Sequence, residues 1–288
     1  MSRPDALGEL KTVELPQGTI RYHERGTGPT LVFAHGVLVN ATLWRDVVPA
    51  LAGQFRCITP DLPFGCHALP LRSDADRSPG GVARLLADLL DALDLRDVTL
   101  VGNDTGGAIC QLLIARHPAR IARLVLTNCD AYEAFFPLLI RPLHDGARLF
   151  GARFVDALAV LLRARAAQRA LAWTVARRRP DAATLDAYFE PFLREPGVRR
   201  DLAAFLAAVS NRYTLEAAAT FPHFRRPVLI AWGRGDVIFS ARYARRLARD
   251  FPCATLQFIP RARTFVPEDQ PAILAGLIAE FVRDAVTA

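Results

Sequence analysis

Apolar and polar positions alternate along this chain in two distinct rhythms. Thr19–Glu24 has the short alternation of a strand, and Gly26 and Gly28-Pro29 follow it as a turn. Thr30–Ala34 is a nearly unbroken apolar run, as expected of a central strand covered on both faces. Phe55–Thr59 is a second such run. Gly81–Leu95 carries Val82, Leu85, Leu86, Leu89, Leu90 and Leu93 at helical spacing. Val98–Val101 predicts a short strand, Gly106–His117 a helix that stops at Pro118, and Ile121–Thr127 another strand.

The rhythm then changes. From Ala131 to Leu215 no strand pattern is present, and the segment is rich in Ala, Leu and Arg with helical periodicity broken by prolines. Strand and helix alternate again from Val228–Trp232, through a helix over Ser240–Asp250 and a strand over Thr255–Ile259, to a last helix from Ile273. Strands alternating with helices predict an α/β fold with a mostly parallel sheet. Residues 1–130 and 216–288 are assigned to its core domain, and 131–215 to a helical cap inserted after the sixth strand.

Composition narrows the class. The 288 residues are 51% hydrophobic and 23% charged, enough for one large core and unlike a disordered chain. No apolar run reaches the roughly 18–20 residues of a membrane span, and Met1–Leu15 has no apolar signal-peptide core. A cytoplasmic location and no membrane partner are expected. Cys57, Cys66, Cys110, Cys129 and Cys253 are scattered and odd in number, with the spacing of buried thiols rather than of a disulfide or metal framework. The net charge of +7 is almost all arginine, with Lys11 the only lysine. Arginine is dense over 141–200, but acids accompany it and aromatics do not interleave with it, so no nucleic-acid partner is expected.

The chemistry concentrates at Gly102-Asn103-Asp104-Thr105-Gly106, where a β-run meets a helix. Small residues on either side of the central one permit a sharp turn that thrusts Asp104 off the sheet end. The helix N-terminus behind it stabilises an anion. No P-loop, H-E-x-x-H or dinucleotide-binding spacing is present, so no cofactor and no metal are expected.

On these residues the chain resembles the α/β-hydrolase superfamily from about Val13 to Val282. Aspartate in the elbow is similar to the epoxide hydrolase and haloalkane dehalogenase branch. Further marks fall in family order: Phe33-Ala-His35-Gly36, Asp61-Leu-Pro-Phe-Gly65, Ala115-Arg-His-Pro118 and Trp232-Gly-Arg-Gly-Asp236. The resemblance implies Asp104 as nucleophile, Asp236 as the acid that orients a histidine, and the backbone N–H groups of Val37 and Thr105 as an oxyanion hole. It implies a tyrosine that protonates an opening epoxide, with Tyr213 in Asn211-Arg-Tyr213 and also Tyr188 as candidates for substrate binding. Thr105 and Val37 stand where dehalogenases commonly carry halide-binding Trp and Asn, which favours the epoxide hydrolase side.

One element of the family pattern is missing. Phe265 and Glu268-Asp-Gln-Pro271 place Thr264 at the catalytic-histidine position, and no histidine follows His223. A threonine hydroxyl is no general base near neutral pH. His35, at the end of a strand beside the elbow, is the first replacement candidate, although a loop-holding role is the commoner fate of that position. His67 is a weaker candidate, His117 reads as structural, and His144 lies in the cap. Three readings stay open: an epoxide-hydrolase-like enzyme with a non-standard water-activating group, a lyase or isomerase using Asp104 as base, and an inactive small-molecule binding protein. The expected partner is a small, largely apolar molecule, and the expected assembly a monomer or homodimer.

Overall fold

The computed structural model describes residues 6–287. Its strands are β1 (Glu9–Leu15), β2 (Gly18–Arg25), β3 (Thr30–Ala34), β4 (Arg56–Pro60), β5 (Val98–Asp104), β6 (Ile121–Cys129), β7 (Val228–Gly233) and β8 (Ala254–Ile259). They form one sheet in the order β1-β2-β4-β3-β5-β6-β7-β8. β1 pairs antiparallel with β2, and β2 antiparallel with β4; every later pairing is parallel. β5 and β7 are buried at every position, as their largely apolar runs require of strands covered on both faces, and the polar Thr99, Asn103 and Asp104 of β5 are buried with them.

The helices are α1 (Val48–Leu51), α2 (Pro79–Ala92), α3 (Thr105–Arg116), α4 (Arg141–Phe150), α5 (Ala152–Leu162), α6 (Arg165–Val175), α7 (Ala182–Arg194), α8 (Pro196–Ala208), α9 (Asn211–Ala218), α10 (Ala241–Asp250), α11 (Val266–Asp269) and α12 (Pro271–Thr287). Local chemistry sets their starts. The Ser78 hydroxyl accepts from the Gly81 N–H at the head of α2, with Pro79 in the first turn. The Asp181 carboxylate accepts from the Thr184 N–H at the head of α7.

Six helices, α4–α9, fill the chain between β6 and β7, so the predicted strand-free insertion is helical and its last helix runs to Ala218, past Leu215. Strand register places the site. Ala34 lies beside Gly102, Asp104 beside Cys129, and Gly233 beside Ile259. The loops after β3, β5, β6, β7 and β8 therefore leave one carboxyl edge of the sheet, where open α/β sheets bind ligands.

Candidate active site

Asp104 ends β5, and α3 starts at the next residue. Its φ of 54° and ψ of −132° hold a side-chain-bearing residue in backbone space that costs about 1–3 kcal/mol. Close packing of glycines makes the turn possible. A Cβ on Gly106 would stand 2.3 Å from the Ala34 carbonyl oxygen, and one on Gly36 would stand 2.0 Å from Asp104 Oδ2. The β3 loop can thus bring its backbone onto the carboxylate. Val37 N donates to Asp104 Oδ2 at 3.2 Å, and the Thr105 backbone N–H, at the head of α3, also lowers the carboxyl's pKa. Both members of the expected N–H pair therefore face Asp104.

Burial pushes the Asp104 carboxyl up to about 7; the two N–H donors oppose the shift, and the nearby Asp236 charge adds to it. Asp236, in the loop after β7, is raised by burial against four donors. Ile238 N donates to its Oδ1 at 2.8 Å, Thr264 Oγ1 donates to the same oxygen at 2.9 Å, and Asn128 Nδ2 donates to Oδ2 at 2.7 Å. Thr264 thus occupies the place beside Asp236 where the resemblance puts histidine, and its hydroxyl proton is committed to that carboxylate.

The structure gives His35 a different job from the one considered for it. The side chain is fully buried, its Nδ1 donates to the Gly36 carbonyl at 2.9 Å, and its Nε2 accepts from Leu62 N at 2.8 Å. Burial lowers its pKa to about 4. Both ring nitrogens are occupied by backbone, so His35 ties the β3 and β4 loops together and has no lone pair for a water. His67 is buried against Asp201, with Nε2 3.2 Å from its Oδ2. His144 Nδ1 bonds the Leu206 carbonyl at 2.8 Å.

Tyr213 also lies elsewhere. It sits on α9, which packs along α3, and its ring stands 5.7 Å from the Arg116 guanidinium carbon at the far end of that helix. With Asp104 at the head of the 12-residue α3, the separation is roughly 18 Å. The Asn-Arg-Tyr signal belongs to a helix start, with Ser210 as its cap, rather than to the cavity.

Tyr188 does reach the cavity. It lines a space of about 80 Å³ over Asp104, with walls from Phe136, Ile140, Leu171, Val175, Phe189 and Phe265. The Tyr188 hydroxyl donates to Glu268 Oε1 at 2.5 Å and accepts from Arg45 Nη1 at 3.1 Å. Arg45 grips Glu268 with two bonds, at 2.7 and 2.6 Å. This buried cluster joins α7 of the insertion to the α11 turn of the core.

Three groups at the site had not been singled out in the sequence. Asn103 Nδ2 donates to Thr127 Oγ1 and to the Thr264 carbonyl, each at 2.7 Å, and so pins the Thr264 loop to β5. Asn128 clamps Asp236 and also accepts from Gly233 N at 2.5 Å. Asp130 follows β6, is fully buried, and accepts from Thr105 Oγ1 at 3.2 Å while its Oδ1 has no partner. Burial, reinforced by the charge of Asp104, holds its pKa well above the usual carboxylate range. A carboxylate just past a strand end in Asn128-Cys129-Asp130 was the available signal. Among the described residues, no group of three His, Cys, Asp or Glu side chains could hold a metal ion.

A family model described as the alpha/beta hydrolase fold matches residues 29–271. The chain belongs to this family. Its relatives include haloalkane dehalogenase 2 of Mycobacterium tuberculosis, 29% identical over 280 residues and covering 94% of each chain. A haloalkane dehalogenase of Mesorhizobium japonicum is 40% identical over a shorter stretch of 114 residues, 39% of this chain and 36% of its own. Among solved structures, a haloalkane dehalogenase from Bradyrhizobium elkani superimposes with a TM-score of 0.79 at 22% identity, over 96% of this chain and 99% of that one. That likeness is one of fold.

Proposed function

We propose that this protein is a hydrolase that opens a small, largely apolar electrophile through Asp104, with an epoxide as the best-suited substrate class. The observation that carries the reading is the Asp104 elbow itself: a strained carboxylate, held on one oxygen by Val37 N–H, at the floor of an apolar cavity. An Asp104 oxygen would attack a ring carbon, forming a C–O bond as the epoxide C–O bond breaks. The alkoxide takes its proton from the Tyr188 hydroxyl, which must exchange its bond to Glu268 Oε1 for one to the alkoxide; Arg45, which donates to the same phenol oxygen, stabilises the phenolate left behind until water reprotonates it.

A cavity of about 80 Å³ suits a molecule smaller than benzene, which fits in an engineered cavity of about 150 Å³. The dehalogenase names of the relatives support attack on carbon, but this cavity has neither an indole nor a side-chain amide on its walls to receive a halide. The second half-reaction has a weak point. Thr264 is spent on Asp236 and His35 on backbone, so a water at the ester lacks the usual base. That observation favours a second reading, in which Asp104, with a pKa near 7, serves as the base of a lyase or isomerase. Turnover of a short terminal epoxide in heavy-oxygen water separates the two. The hydrolase reading expects label in the diol or in the Asp104 peptide; product without label in either rejects it.

A further inference from the structure

Twelve large apolar side chains are exposed among the described residues, and seven of them fall between 138 and 173. They are the pairs Leu138–Leu139, Leu149–Phe150 and Val160–Leu161, with Trp173; Leu138 is 84% exposed and Leu149 74%. Charge is distributed the same way. Residues 138–179 hold nine arginines against two aspartates, a net +7, while the rest of the chain has 27 basic and 27 acidic residues. The two aspartates are already engaged, Asp156 by Arg199 and Asp145 by Arg141. Arg148, Arg153, Arg163, Arg169, Arg177 and Arg179 are exposed and, among the described residues, have no carboxylate within salt-bridge distance.

These residues belong to three helices that pack in succession, α4 on α5 and α5 on α6. The inward sides of α4 and α6 contribute Leu143, Leu171 and Val175 to the cavity over Asp104, leaving the arginines and the exposed apolar side chains outside. A depression of about 640 Å³ opens beside Trp173, with Arg169 and Arg179 on its walls; Asp181 also lines it, but its carboxylate caps α7. Pro180 lines both this depression and the Asp104 cavity.

We propose that the outer face of α4–α6 docks this protein on an anionic lipid surface. Basic helices that expose Leu, Phe and Trp lie in the membrane interface, with apolar side chains among the acyl chains and arginines among the phosphates. The arginines flanking the depression suit it to a lipid phosphate. A second copy is disfavoured, because a two-fold interface would press two +7 segments together. No helix among the described residues is long and apolar enough to cross a membrane, so the contact is peripheral. The lack of a spanning apolar run led to the expectation of no membrane partner; which side chains face outward is visible only in the folded chain.

The full-length protein is mixed with vesicles of phosphatidylcholine alone, or with about 30 mol% phosphatidylglycerol. Binding is read by co-sedimentation and by tryptophan emission. Trp44 and Trp232 are fully buried, so a change reports Trp173. Partitioning should be at least about tenfold stronger on the anionic vesicles, shift the emission to the blue, and weaken about tenfold in 0.5 M salt. The Leu149→Glu/Phe150→Glu variant should keep the melting temperature and lose about tenfold or more in binding. Equal partition on both vesicles, none on either, or binding without a blue shift overturns the proposal. So does a dimer without lipid that the variant abolishes, which assigns the face to a second copy.

Discussion

Asp104 is the residue on which the chemistry turns, and its raised pKa makes a signed prediction. A nucleophile must be ionised, so single-turnover alkylation should rise about tenfold per pH unit below 7 and level off above it. A rate that falls as pH passes through 7 would make the protonated form the active one. Stability carries the same sign in reverse. The folded protein holds this proton up to about pH 7, whereas the unfolded chain releases it near 4, so the group's contribution to stability declines as pH rises between those values. Asp104→Asn should therefore abolish activity yet melt at a higher temperature than the parent at pH 8, with the difference vanishing near pH 4. Tyr188 allows a separate test. Tyr188→Phe removes the hydroxyl between Arg45 and Glu268 but leaves their two-bond pair, so alkylation should slow by about 10²-fold with a stability change near 1 kcal/mol.

Elements differ in how plainly the sequence announced them. β3, β5, β6 and β7 were legible because strands covered on both faces carry long apolar stretches. β1 was not, because it lies at the sheet edge and only Leu15 of its seven residues is buried, so charge dominates Glu9–Glu14. At the site, Asp104, Asp236 and Thr264 could be read from motif order. Asp130, Asn128 and Asn103 act through partners 24 to 161 positions away in sequence, which no local pattern encodes. The tie between α8 and the core is of that kind. Asp201, fully buried, accepts from His67, Arg77, Arg200 and the Leu71 N–H. Burial alone would raise its carboxyl, but these donors outweigh it and hold it at about 2. The stability it provides is present above pH 4 and lost as pH falls towards 2. Asp201→Ala should cost about 3 kcal/mol in urea unfolding, since it strands buried positive donors.

At the scale of the whole molecule, the helical insertion forms the roof of the Asp104 cavity, and its opposite face carries the unbalanced arginines. The central claim, that Asp104 attacks carbon, is tested most directly by intact-protein mass spectrometry of the whole chain after exposure to a panel of short epoxides. With Thr264 where a base is needed, the ester should form faster than it is cleared. A covalent gain of one substrate mass should appear, map to the Asp104 peptide, be absent in Asp104→Asn, and turn over faster in Thr264→His. Turnover of the same epoxides by Asp104→Asn at the parent's rate, or a persistent adduct on any other residue, would contradict it.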